Sequence, residues 1–504
     1  MAEGSRHYSY HHLGLFLLSL LCSLFAWGEV PEGRQPATVI ANKVNSASDA
    51  PSFYGHRTIK QQPLKEVPAP IEFQRRAIAP PIIEEAEMLK IEEANLNHAT
   101  LSVSPDDVPL KQDTLPRITL SRDEQLLAKK AQYYIDRNWQ DKTGFIDSVQ
   151  GYPHSTMWDV ASGLSALLAL EGLGLYSTEQ TDSKIARTLK TLFTFPLYDQ
   201  RLPNREYNTH TGLPSGRLSD KARNGNGWSA LDIGRLLIWL EITSRHKPHF
   251  KPDIDRILSH WQLADAIHQQ TLYGELYTGK KRYYRQEGRL GYLQYTAQGF
   301  EMAGFGVDNA YSQADTRSAK LDGHTVFIDE RNLPYFTSDP YVLNAVELGR
   351  KGDWWDQLDT LFALHKAHSA QQQSLWVFAE DALNHVPWFA YNNIFIYGRA
   401  WLSTAPGGKP IENPQIFSNK MALGFSVLYP DDPFGQQLHQ QVIANSLHYR
   451  AVPTGVLRND APNLAFNINT NAFVLSALWY KHRNYLPLFF TKPLSIMPSQ
   501  ALAQ

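Results

Sequence analysis

Cysteine is almost missing: one in 504 residues, Cys22. It lies inside the apolar run from Leu13 to Trp27, so a chain cut after Gly28 holds no thiol. That excludes a disulfide scaffold and a paired-cysteine metal site, and suits an exported bacterial protein. Charge of one sign is missing too. The formal net charge is −2 at pH 7, so no basic excess asks for nucleic acid and no acidic block forms a solvated tail. The single long apolar run falls short of the about 20 residues of a membrane span. Arg6 and several histidines precede it and Ala26-Trp27-Gly28 follows, the layout of an export signal cleaved before Glu29. An uncleaved anchor, with membrane proximity, is the alternative. Ser19-Leu20-Leu21 before Cys22 fits a lipoprotein signal poorly. No Gly-rich phosphate loop and no helix-borne zinc dyad is present. Gly212-Leu213-Pro214-Ser215-Gly216 is a turn without the residues of a hydrolase elbow. His365 and His368 are expected on the surface of an outer helix rather than as ligands. No metal and no cofactor is therefore expected.

What is present begins with organisation. Residues 1–28 read as the export signal, which places the protein in the periplasm or outside the cell. Residues 29–118 read as an extended arm: 11 of the 30 prolines fall between 29 and about 117, and helical periodicity is confined to Ile83–Glu93. From residue 119 to 490 the chain reads as one domain, with a tail at 491–504. Ser121 and Glu124 form a capping box at the first helix.

Within that domain a pattern recurs six times. An aromatic residue, a polar or acidic residue and small residues open an apolar helical run. The segments start at Trp158-Asp159, Trp228-Ser229-Ala230-Leu231-Asp232, Tyr295-Thr296, Ser338-Asp339-Pro340-Tyr341, Asn419-Lys420 and Asn469-Thr470-Asn471. Twelve helices are expected, near 121–139, 156–173, 181–195, 228–246, 252–271, 291–304, 308–319, 339–350, 353–371, 416–428, 434–449 and 469–483. The motif-bearing ones are apolar all round, hence buried; the others, such as Asp253–Gln270 and Asp353–His368, are charged on one face, hence outside. The fold class that follows is all-α: an (α/α)6 toroid of six inner and six outer helices, with inner N-termini lining one mouth. Leu321–Asp329 reads as a short strand. Ser374–Glu380 and Trp388–Arg399 read as a small β-hairpin insertion whose loop carries Glu380 and Asp381.

On Ser155–Ser162, Gly227–Arg235, Ala379–Leu383, Pro387–Asn392 and Asn469–Ala472 the chain resembles the bacterial domain-of-unknown-function family 3131, over about residues 120–485. That family is grouped with the six-hairpin glycosidases, so the resemblance implies the toroid. A fainter resemblance is to glucoamylase-like β-1,2-glucan-processing domains. Leu231-Asp232-Ile233-Gly234 echoes one of their motifs, and Ala379-Glu380-Asp381 falls where they carry Ser-Glu-Ser. Tyr295 and Glu301 keep the spacing of another, but Thr296, Phe300 and Ala303 stand where those domains carry Asp, Ser and Arg.

Glycosidic cleavage uses two carboxyl groups, one donating a proton and one activating water or attacking the sugar. Glu380 is the expected general acid: an apolar run precedes it and Asp381 is adjacent, and both features favour a protonated carboxyl. Asp232 and Glu301 are the other catalytic candidates. Asp159, Asp339 and Asp381 are expected to bind substrate, Asp159 and Asp339 alternatively as helix-start residues. Trp158, Trp228, Tyr295, Tyr341, Trp388 and Tyr391 are candidates for stacking on sugar rings, with core packing the alternative for each. Asn392, Asn469 and Asn471 would bond hydroxyls. The connections Leu202–Thr209 and Lys280–Arg285 are placed to form subsites. The expected function is an exported glycoside hydrolase or transglycosylase on a bacterial glucan or exopolysaccharide, inverting by fold analogy. The partner is an oligo- or polysaccharide, not nucleic acid, and the protein a monomer. The alternatives are a non-catalytic glycan-binding or secretion-assembly protein, and a polysaccharide lyase using His154, His210, His324 or Tyr207 as base.

Overall fold

A computed structural model describes residues 117–491, except 330–335, 351, 353–354, 397 and 406–407. These residues belong to one compact unit. The expected export signal, the arm with its helix at 83–93 and the C-terminal tail lie outside the described residues, apart from the boundary residues 117, 118 and 491.

Eleven α-helices stand among the described residues: α1 (Arg122–Asn138), α2 (Met157–Gly172), α3 (Thr178–Thr194), α4 (Ala230–His246), α5 (Lys251–His260), α6 (Tyr292–Met302), α7 (Asp339–Glu347), α8 (Gln357–Gln372), α9 (Asn419–Leu428), α10 (Pro433–Ser446) and α11 (Ile468–His482). Six of them pack as neighbours in the order α2, α4, α6, α7, α9, α11 and back to α2, a closed ring. These are the six motif-bearing helices. Every residue of α2 from Met157 to Leu170 is buried, as is every residue of α11 from Ile468 to Tyr480, as helices apolar on all sides must be. In α3 the buried residues are Thr181, Ile185, Thr188, Leu189 and Leu192, one face at three- and four-residue spacing. Capping boxes start α1 at Ser121, α2 at Thr156 and α3 at Ser177.

Close backbone approach sets the ring at α4 and α6. A Cβ on Gly299 would lie 2.0 Å from the carbonyl oxygen of Gly234, and one on Gly234 would lie 2.4 Å from that of Thr296. Only hydrogen fits at either position.

The surroundings of the ring differ from the expectation. No helix spans 308–319. A single 3-10 turn, Asp308–Tyr311, is followed by a hairpin of strands Thr316–Leu321 and His324–Asp329. Its two-residue turn is Asp322-Gly323, both at positive φ, the pair that a two-residue hairpin loop selects. The helix expected to reach residue 271 ends at His260, and strands Thr271–Tyr277 and Arg282–Gln286 pair beyond it. The ring is thus dressed by five helices and several small sheets rather than by helices alone. The hairpin near Glu380 is also displaced. Strand Phe389–Ile396 pairs with Arg399–Thr404 on one side and with Asp381–Ala382 on the other, so Asp381 lies in a buried strand and Glu380 directly precedes it. His365 and His368 are buried, not on the surface. The ring of Trp401, from that hairpin, covers them: it stacks on His368 at 4.0 Å and meets His365 edge-on at 5.2 Å.

Candidate active site

A cavity of about 420 Å³, partly open to solvent, is lined by Trp158, Arg235, Tyr292, Asp339, Leu343, Glu380, Phe389, Lys420, Met421, Asn469 and Phe473. Each of the six ring helices contributes from its first two turns: Trp158 from α2, Arg235 from α4, Tyr292 from α6, Asp339 and Leu343 from α7, Lys420 and Met421 from α9, Asn469 and Phe473 from α11. The six N-termini therefore face one mouth, where the positive ends of the helix dipoles favour oxygen-rich ligands.

Glu380 enters the cavity wall from the irregular stretch just before strand Asp381–Ala382. Its Oε2 accepts a hydrogen bond from the Tyr292 hydroxyl at 2.9 Å. The backbone on either side of its side chain is clamped. Its N–H donates to Asp339 Oδ2 at 3.0 Å, and its carbonyl oxygen accepts from Lys420 Nζ. Lys420 also pairs with Asp339 at 2.7 Å and Asp381 at 3.1 Å. Burial alone would depress the Lys420 ammonium, but the two carboxylates reverse this and raise it above its ordinary value. Burial pushes the Asp381 carboxyl up, and nearby Asp339 adds to that against the pull of Lys420. Asp381 accepts from Gln415 and Ser418, each at 2.7 Å. It lies behind the wall and holds Lys420 rather than meeting a ligand.

Also lining the cavity, the Arg235 guanidinium stacks over the Trp158 indole at 4.3 Å, and Trp158 meets the Tyr292 ring edge-on at 5.8 Å. Arg235 pairs with Glu347 at 3.4 Å, and Tyr295 donates to the same carboxylate. Burial raises the Glu347 carboxyl against the pull of Arg235 and of the Tyr295 hydroxyl. Asn469 donates to Asp159 Oδ1 at 2.8 Å and accepts from Ser162 at 2.9 Å.

Of the fifteen residues singled out in the sequence, Glu380, Trp158, Asp339 and Asn469 line this cavity. The others do not. Glu301 is near the C-terminal end of α6, nine residues beyond Tyr292 and so about 13 Å along the helix; it is exposed and bonds Tyr311 at 3.0 Å. Asp232 is buried in the first turn of α4, its N–H capped by Ser229, and Arg235 turns to Glu347. Trp228 is fully buried, donating to the Tyr273 carbonyl at 3.0 Å. Tyr295 and Tyr341 are core residues bonded to Glu347 and Gln357. Trp388 stands half-buried at positive φ beside the cavity residue Phe389, and Tyr391 is buried beyond it. Asn392 and Asn471 bond backbone carbonyls. Asp159 closes the α2 capping box. Tyr207, one of the lyase bases, is buried against the Pro196 carbonyl. His210, His324 and Tyr207 line neither this cavity nor the smaller one at the start of α2, which His154 borders. Among the described residues no group of His, Cys, Asp and Glu is placed to hold a metal ion.

Arg235, Tyr292, Lys420 and Glu347 escaped the sequence reading. Lys420 is the second residue of one of the six helix starts, where a buried cation among acids is its only signal in the sequence. Tyr292 is the first residue of α6, three before the aromatic that carries the motif.

A family model described as "Protein of unknown function (DUF3131)" matches residues 126–484. No curated protein matches the chain in sequence. Among solved structures, an endo-β-1,2-glucanase from Chitinophaga pinensis, in complex with sophorotriose and glucose, is similar in fold: 12% identity and a TM-score of 0.55, covering 74% of this chain and 96% of that one. A protein described as "putative glucoamylase" from Bacteroides fragilis gives 13% identity and a TM-score of 0.54 over 76% of this chain and 96% of that one. At such identities the likeness concerns the fold, not the residues of the site.

Proposed function

Because the chain belongs to the DUF3131 family, whose description assigns no reaction, we propose its activity from the cavity itself. It is an exported glycoside hydrolase or transglycosylase of the (α/α)6 toroid class acting on a bacterial glucan or exopolysaccharide. The observation that carries this reading is the convergence of the Glu380 carboxyl, the Trp158 ring and the Asn469 amide on one cavity at the N-termini of six ring helices. Glu380 is the general acid. Asp339, paired with Lys420, is the other carboxylate lining the cavity and takes the base role instead of Asp232 and Glu301. Trp158 and Phe389 supply apolar faces for a sugar ring. The likeness in fold to an endo-β-1,2-glucanase supports the choice of a glucan.

The test is reducing-sugar release from a panel of β-glucans, β-1,2-linked chains included. Activity that vanishes in a folded Glu380→Gln variant supports the assignment; full activity in that variant refutes it. One observation favours a second reading, a glycan-binding protein without turnover. Asp339 is already engaged by Lys420, Thr337 and the Glu380 N–H. Oligosaccharide affinity that survives Glu380→Gln and Asp339→Asn, with no turnover in the wild type, would establish it.

A further inference from the structure

We propose that Tyr292 is the positioning residue for Glu380: its hydroxyl fixes which carboxyl oxygen carries the transferable proton and takes up the charge left when that proton goes. This rests on the glycosidase reading above. Tyr292 and Glu380 are nearly out of solvent, 5% and 6% exposed, and the tyrosine hydroxyl donates to Glu380 Oε2 at 2.9 Å. In a protonated carboxyl the better acceptor is the carbonyl oxygen. With Tyr292 donating to Oε2, that oxygen is the carbonyl and the proton belongs on Oε1.

The contact is built into the ring. Tyr292 is the first residue of α6. The N–H of Gly291 before it donates to Gln294 Oε1, and Gln294 Nε2 donates to the Ala310 carbonyl, each at 2.7 Å. A Cβ on Gly291 would fall 2.8 Å from Pro340 Cγ and 3.0 Å from Tyr341 Cε2, so the starts of α6 and α7 abut. The residue before Pro340 is Asp339, which accepts from the Glu380 N–H at 3.0 Å. One helix approach therefore sets both grips on Glu380, Tyr292 on its side chain and Asp339 on its backbone. The Trp158 ring, edge-on at 5.8 Å, holds the tyrosine from α2.

In the reaction the Oε1–H bond breaks as the proton passes to the glycosidic oxygen, which leaves with the electron pair of its bond to the sugar carbon. Water adds at that carbon and gives a proton to Asp339, the base assigned above. Glu380 ends as a carboxylate, and the bond from Tyr292 becomes charge-assisted, about twice as strong as a neutral one. That gain arises only as the charge develops, so it raises kcat rather than affinity.

The competing explanation is that Tyr292 only packs and satisfies a buried carboxyl. Wild type and Tyr292→Phe, which keeps the ring, are compared on a β-glucan and on a dinitrophenyl glycoside of a gluco-oligosaccharide, whose leaving group departs without a proton. On the glucan kcat should fall on the order of tenfold with KM unchanged, while kcat on the dinitrophenyl glycoside holds. The ratio of the two rates in one preparation is independent of the folded fraction, so a folding defect cannot mimic the split. The glucan alone gives a second readout. Tyr292 favours the carboxylate, so its loss raises the titration of Glu380 and moves the alkaline limb of kcat to higher pH. The charged groups around Glu380, which are Arg235 of α4, Asp339 of α7, Lys420 of α9 and the adjacent Asp381, are the same in both proteins. Equal loss on both substrates, a loss in KM alone or an unmoved alkaline limb would overturn the role of Tyr292 and leave the glycosidase reading intact. Glu380→Gln tests that reading separately and should show the same split, larger. If it keeps full activity on the glucan, or the wild type releases no sugar from any glucan, the reading fails and the inference falls with it.

Discussion

Replacing Lys420 with methionine tests the clamp that holds Glu380. The ammonium is buried and bridges Asp339 at 2.7 Å and Asp381 at 3.1 Å, besides donating to the Glu380 carbonyl. Removing one partner of a buried ion pair costs about 3–5 kcal/mol, because the other charge is left uncompensated. Asp381 keeps Gln415 and Ser418 as donors, and Asp339 keeps Thr337 and the Glu380 N–H, so the low end, about 3 kcal/mol, is expected. With an unfolding entropy of about 2.1 cal/mol/K per residue over roughly 370 residues, that is a fall in Tm of about 4 °C. The pH dependence has a definite sign. Lys420 is raised above 10.5, so the stabilisation it supplies is fully present below that value and intact at neutral pH. Asp381 is raised above 3.8, so the native state holds a proton the unfolded chain has lost, and stability falls as pH rises through that window. Without Lys420 the window extends upward. The deficit of Lys420→Met is therefore largest near neutrality and shrinks on acidification, as the two carboxyls take up protons. Thermal melts by circular dichroism between about pH 8 and about pH 5 measure this, with activity on β-glucan falling in parallel as the Glu380 carbonyl loses its donor. A variant as stable as the wild type, or a deficit that does not change with pH, would refute the reasoning.

Burial pushes His365 down to about 4, against the Leu361 carbonyl it bonds at 2.7 Å, and its Nε2 accepts from Phe378 N–H at 3.1 Å, two residues before Glu380. Native protein then binds fewer protons than the unfolded chain between about 4 and 6.5, and stability drops as pH falls through that window; His365→Leu removes the slope and, by orphaning the Phe378 N–H, costs about 1–3 kcal/mol in denaturant titrations. Burial would raise Glu124, but hydrogen bonds from His439, Lys481 and Ser121 N–H bring it down to about 2, so its contribution is present above 4.5 and lost as pH falls toward 2. Acid unfolding of Glu124→Gln followed by circular dichroism should accordingly begin from a lower stability and fall less steeply over that range. Gly299→Ala forces a Cβ to within 2.0 Å of the Gly234 carbonyl and should lower stability by about 3 kcal/mol in a urea titration, whereas Gly304→Ala, with nothing within 4 Å of its Cβ but at φ +89°, tests strain without overpacking and should cost less.

The sequence by itself determined the ring. Apolar residues on every side of a helix have nowhere to go but between other helices, so the runs opening at Trp158, Asp232, Tyr295, Asp339, Lys420 and Asn469 identified all six members, and the capping box at Ser121 fixed the start of α1. The outer layer was harder to read, because a half-exposed segment carries a weaker pattern. At 308–329 the local preference of Asp322-Gly323 for a hairpin turn prevailed over the helical spacing before it. Which acids meet the cavity was decided by tertiary structure alone. A position along a helix does not state which way the side chain faces or which neighbour claims it. Glu301 and Asp339 both sit on ring helices, but Glu301 lies near the far end of α6 and Asp339 at the first residue of α7. Asp159 and Asp232 look alike in sequence, yet one is bound to Asn469 and the other is enclosed in α4. The clamp joining Lys420 to Glu380, Asp339 and Asp381 draws on three segments up to 81 residues apart, and only the closure of the ring brings those charges within bonding distance.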